Sequence, residues 1–160
     1  MPQLTFERDA QCDRSATEEE VCRFEARHNI VLPNEYRTFL LAHNGGRVLT
    51  NCMESYVLLS GHPHVQNLWI DQFFPLYESA VELQTLDAAL EAALHDGIPK
   101  SHLPIAGGSD WFTIGIAPNI QGQVFFWDHE GQWEKSDIVP WRLANSLSEF
   151  LELIASFPYE

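Results

Sequence analysis

The stretch Val124-Phe125-Phe126-Trp127 constrains this chain more than any other. A strand sends successive side chains to opposite faces, so four consecutive large apolar residues put apolar surface on both. Such a strand sits centrally in its sheet and is covered on both sides. Trp111-Phe112-Thr113-Ile114-Gly115-Ile116 is a second apolar strand. The loop through Asn119 and Gly122 joins the two, which predicts antiparallel neighbours in one sheet.

Helical segments stand on either side of this pair. Thr17 and Glu20 have capping-box spacing, and Val21, Phe24 and His28 follow on one helical face. Glu18, Glu19 and Glu20 occupy the first turn, where the helix dipole favours negative charge, so this run has a local explanation. Leu32 is pushed towards extended geometry by Pro33, which suits the first turn of a second helix. Tyr36, Phe39, Leu40 and His43 form its stripe, and Asn44-Gly45-Gly46 ends it. Thr85 caps a third helix running to His95, with Leu86, Leu90, Ala93 and Leu94 as its apolar face and Gly97 closing it. A last helix is capped by Ser146 with Glu149, and its stripe is Phe150, Leu153, Ile154 and Phe157.

The remaining strand signals are shorter. Val48-Leu49 and the segment 56–59 read as strands, 71–77 as a partly buried loop or strand, and Leu103-Pro104-Ile105-Ala106 leads into a glycine turn at Gly107-Gly108. Gln132-Trp133-Glu134-Lys135 adds a candidate third strand to the late pair. Residues 1–14 form a tail or a first edge strand around Leu4 and Phe6. With 160 residues and 45% hydrophobic content, the chain reads as a single domain spanning 1–160 that needs neither disulfide nor metal to fold.

Charge limits the function classes. Nine Lys and Arg against 23 Asp and Glu give −14. Such a field repels nucleic-acid phosphates and anionic lipid, and it attracts cationic partners. It also serves solubility alone. Cys12, Cys22 and Cys52 are odd in number without metal-ligand spacing, which fits a reducing compartment. The N-terminal stretch lacks the pattern of a signal peptide, and no apolar run reaches the ~20 residues of a membrane span, so the expected location is cytoplasmic.

Three stretches together resemble the SUKH superfamily. They are Phe24-Glu25 with Leu32-Pro33-Asn34-Glu35-Tyr36-Arg37-Thr38-Phe39-Leu40 and Asn44-Gly45-Gly46; then Leu103-Pro104-Ile105-Ala106 with Gly108-Ser109-Asp110-Trp111; then Gly122-Gln123-Val124-Phe125-Phe126-Trp127-Asp128-His129-Glu130. The likeness covers most of 17–157 and is weakest over 61–84. It implies an α+β fold, with a mixed, mainly antiparallel sheet packed by N-terminal helices and closed by a C-terminal helix. It also implies a protein-binding role. Many bacterial members look like immunity proteins that neutralise toxins, often nucleases, whereas a fungal relative is a regulatory scaffold.

The residues that could carry chemistry have structural explanations. Gly107-Gly108-Ser109-Asp110 is not a nucleophile elbow, and Ser109 and Asp110 suit a turn. His62 and His64 lack a third ligand. Asp128, His129 and Glu130 point in different directions along a strand end. His43 suits a core or capping role near a helix end. The expectation is therefore a non-enzymatic protein with no cofactor and no metal. Its partner is a protein, a cationic toxin domain in the bacterial reading, with homo-oligomerisation left open. The candidate contact surface is the acidic and aromatic rim of Asp110, Trp111, Asp128, Glu130, Trp133 and Glu134, since interfaces favour aromatic anchors. In the alternative reading, a regulatory or scaffolding module, the segment 61–84 is the docking site.

Overall fold

A computed structural model describes residues 5–7, 14–49, 55–58, 67–76, 85–108, 111–127 and 140–155. Its strands are β1 (Thr5–Glu7), β2 (Gly46–Leu49), β3 (Ser55–Leu58), β4 (Asn67–Phe73), β5 (His102–Gly108), β6 (Trp111–Gly115), β7 (Val124–Trp127) and β8 (Trp141–Ala144). The helices are α1 (Glu18–His28), α2 (Asn34–Ala42), α3 (Leu86–His95) and α4 (Leu147–Ala155). The class is α+β, as expected. The sheet runs β1-β2-β4-β5-β6-β7-β8, with β3 also paired to β4. Every pairing among the described residues is antiparallel.

The late strand pair is as the sequence requires. β6 and β7 align Trp111 with Trp127, Phe112 with Phe126 and Ile114 with Val124. All four residues of β7 are buried. Val124 and Phe126 enter the main core with Phe112, Ile114, Phe24, Tyr36, Phe73 and Phe150. Phe125 and Trp127 pack instead with Ala93 and Ile98 in a smaller cluster. Burying each such aromatic contributes roughly 1.5–3 kcal/mol.

Helix ends follow their caps. Thr17 and Glu20 make both arms of the capping box on α1, and α1 stops at Asn29 in the left-handed region. Pro33 stands at the N-cap of α2 and not in its first turn. Thr85 Oγ1 accepts from the Ala88 N–H at the start of α3. At α4, Ser146 Oγ accepts from the Glu149 N–H, but the Glu149 carboxylate accepts from Asn145 N–H, one residue before the expected cap.

Asn44-Gly45-Gly46 does more than end α2. All three residues have positive φ, at 51°, 79° and 107°. The buried Asn44 amide donates to the carbonyls of Arg14 and Leu76, both at 3.1 Å, and its oxygen accepts from Leu76 N–H at 2.8 Å. A Cβ on Gly45 would stand 2.8 Å from the Phe73 carbonyl oxygen. The motif therefore fastens the end of α2 to the exit of β4 and to the segment before α1.

One expectation is corrected. Gly107 and Gly108 do not form the turn; they are the last residues of β5. Gly108 pairs with Ile70, and a Cβ there would fall 2.1 Å from the Trp69 carbonyl oxygen. The glycine lets β4 and β5 approach, the close backbone contact for which strands use glycine. The candidate strand 132–135 and residues 59–66 and 77–84 lie outside the described residues. Among the described residues, no helix is long and apolar enough to cross a membrane.

Candidate interaction surface

Of the six residues expected at the contact surface, Trp111 is the one the structure describes; Asp110, Asp128, Glu130, Trp133 and Glu134 lie outside the described residues. Trp111 opens β6, between Gly107 on β5 and Trp127 on β7. Its indole N–H donates to Asp96 Oδ2 at 3.2 Å, at the C-cap of α3. Its ring lies 5.9 Å from that of Phe74 and packs against both apolar clusters. Trp111 is thus a half-buried aromatic, with its orientation fixed from three sides.

Below it the same face of the sheet holds a closed polar pocket. Thr113 Oγ1 accepts from the Trp127 indole N–H at 3.0 Å and lies 3.3 Å from His102 Nδ1. The arrangement that satisfies all three has the hydroxyl donating to Nδ1, which leaves the imidazole neutral with its proton on Nε2. Phe125 and Trp127 stand edge-on to the His102 ring. Burial lowers the His102 pKa to about 4. A perturbed histidine is a recognised sign of a catalytic site. Here only 7% of the residue is exposed, and its ring is packed against Phe125 and Trp127.

Many acidic side chains are engaged in holding the fold. Glu20 takes both guanidinium nitrogens of Arg14, which lowers the Glu20 pKa despite opposing burial. Glu19 pairs with Arg23. Arg37 bridges Glu25 at 2.8 Å and Glu18 at 2.7 Å, and those bonds, Glu25 first, raise its pKa. Asp87 at the start of α3 accepts from Arg27, and its Oδ1 lies 2.6 Å from His28 Nε2. The Glu18–Glu20 run is therefore local, as its position in the first turn implied. Among the described residues, Arg14, Arg23 and Arg37 are tied to carboxylates on α1, and Arg27 is tied to Asp87 on α3.

A groove of about 370 Å³ lies between α2 and α4, lined by Glu35, Phe39, His43, Leu147, Ser148 and Leu151 among others. Glu35 Oε2 accepts from Ser148 N–H at 3.1 Å, capping α4. Glu35 and His43 stand eight residues apart on α2, about 12 Å along the axis, too far to act on one proton. His43 is exposed; its backbone occupies the C-cap of α2 and its ring rests on Phe6 and Phe39. Among the described residues no three metal-ligating side chains converge.

Trp69 was not anticipated from sequence. On β4, Leu68 and Ile70 enter the main core, so Trp69 between them faces the other side of the sheet. It is 41% exposed, high for a tryptophan on a strand paired along both edges. The signal available was the alternation Leu68-Trp69-Ile70 followed by Asp71.

A family model described as SMI1 / KNR4 family (SUKH-1) matches residues 15–153. No curated protein matches the chain.

Proposed function

Because the chain belongs to the SMI1 / KNR4 family (SUKH-1), we propose that it is a non-catalytic bacterial immunity protein, acting as one domain, that neutralises a cognate toxin by direct binding. Domains of this family bind proteins, often as immunity proteins. The family match over 15–153 is the observation that carries the reading. The net charge of −14 is consistent with a cationic toxin, such as a nuclease that must hold phosphates. The contact surface in this reading is the rim of Asp110, Trp111, Asp128, Glu130, Trp133 and Glu134. Trp111 then acts as a pre-ordered anchor, because Asp96 and Phe74 already fix its ring. The protein works in the cytoplasm, where an incoming toxin would meet its target.

The test is co-expression with a toxin encoded beside the gene. Growth restored by this chain, with a 1:1 complex measured by calorimetry, is the expected result. A chain that neither protects nor binds any adjacent toxin removes the immunity reading. A stable complex with a housekeeping protein in its place would favour the regulatory reading.

A further inference from the structure

We propose that the groove between α2 and α4 is a docking site for a cationic amphipathic helix of the partner protein; this rests on the protein-binding reading above and adds a contact apart from the Trp111 rim. Phe39 and Leu147 form the buried floor of the groove and belong to the main core. Leu151 stands half-buried on the α4 wall. Glu35, Thr38 and Ala42 on α2 and Ser148 on α4 are exposed and line the same opening. Thr38 and Ala42 lie four residues apart on α2, as Leu147 and Leu151 do on α4, so each wall presents a row along its helix. The volume of about 370 Å³ accommodates the apolar anchors of a helix laid across these rows.

The form of the occupant follows from the walls. Helices use their main-chain N–H and C=O groups internally, so an extended segment laid between α2 and α4 would find no row of backbone partners. A helix brings its own backbone already paired and offers side chains at i, i+3, i+4 and i+7 as anchors. The sign of the occupant follows from charge. Among the described lining residues Glu35 carries a carboxylate and none is Lys or Arg. That carboxylate accepts from Ser148 N–H through Oε2, and a carboxylate has lone pairs for further donors. Glu152, also exposed, stands four residues after Ser148 and carries the acidic border along α4. Arg37, the arginine of α2, is engaged by Glu18 and Glu25 of α1. A second copy would bring a further −14 and be repelled, as would nucleic acid or anionic lipid. A helix apolar on one face, with Lys or Arg on its flank, meets both the floor and Glu35.

The experiment is a titration of the ¹⁵N-labelled full chain with a Leu/Lys peptide whose leucines recur at helical spacing. One control peptide has the same composition scrambled, and another has Glu in place of every Lys. The expected result is that the backbone amide signals of Thr38, Ala42 and Leu151 shift first, that the patterned peptide binds at least about threefold more tightly than the scrambled one, and that the Glu peptide does not bind. Thr38→Trp fills the groove from an exposed position and should weaken the patterned peptide at least about fivefold. Glu35→Gln keeps an acceptor for Ser148 N–H while removing the charge, and should weaken it about two- to fivefold, the size of one exposed ion pair. Shifts spread evenly over the acidic surface, equal binding of the patterned and scrambled peptides, or a Thr38→Trp affinity within about twofold of the parent overturn the proposal. Co-expression separates it from the immunity reading. If the parent protects and Thr38→Trp protects equally, the groove is wrong and the reading stands. If the parent protects against no adjacent toxin, the reading falls and the titration alone decides the groove.

Discussion

At the scale of single residues, two buried polar side chains carry unusual weight. Asn44 satisfies three backbone groups from two distant segments, and it does so from a left-handed backbone conformation that Asn tolerates. Asn44→Ala leaves those groups buried without their partner. The expected loss is about 2–4 kcal/mol in urea denaturation, far above that of an ordinary surface change. His102 governs a pH window. Its folded pKa is lowered to about 4 from an ordinary 6.5. Above the ordinary value both states are neutral and His102 contributes nothing. As pH falls from there towards 4, the unfolded chain gains a proton that the folded protein refuses, so stability drops; below about 4 the effect levels off. The loss attributable to His102 is about 3 kcal/mol across the window. His102→Gln, which keeps an acceptor for Thr113, should flatten that part of the stability curve; parallel curves for parent and variant between pH 7 and 4.5 would rule the assignment out.

At the scale of elements, β4 and β5 meet without room for a side chain at Gly108. Gly108 has no room for a Cβ against the Trp69 carbonyl. Gly108→Ala should therefore part the strands and lower stability by about 2–4 kcal/mol, with the loss of hydrogen-exchange protection concentrated in β4 and β5. The same junction explains what sequence reading reached and what it did not. The four helices were legible because caps at Thr17, Thr85 and Ser146 and stripes at helical spacing agree with one another. β6 and β7 were legible because their apolar character needs no phase. β4 was not, because its register shifts between Ile70 and Gln72, so Leu68, Ile70 and Phe73 share the core although their spacing breaks the two-residue period. β8 was missed for a similar reason: four residues long, with exposed Arg142 and a shift opposite Val124 and Phe125, it offers no alternation to read. The contact surface was legible only at Trp111. Trp69 was missed although Leu68-Trp69-Ile70 keeps the alternation, because exposure is a property of the assembled sheet.

At the scale of the whole molecule, the question is whether an excess of 14 negative charges acts on partners or only on solubility. Structure narrows the excess. Carboxylates on α1 and at the starts of α2, α3 and α4 are engaged by arginines, histidine or helix N–H groups, so their charge is partly spent inside the fold. Long-range attraction acts chiefly on the encounter rate, and the Debye length shrinks from about 30 Å at 0.01 M salt to about 10 Å at 0.1 M. If the field steers a cationic toxin, the association rate should fall at least tenfold between 20 and 300 mM salt, while the dissociation rate changes far less, because contacts at the aromatic surface are short-range. Stopped-flow mixing with the toxin identified by co-expression measures both. Asp96→Asn should lower the rate at low salt and converge with the parent at high salt, since it removes charge without removing the Trp111 anchor. An association rate indifferent to salt would assign the acidity to solubility, and recognition would then rest on the tryptophans.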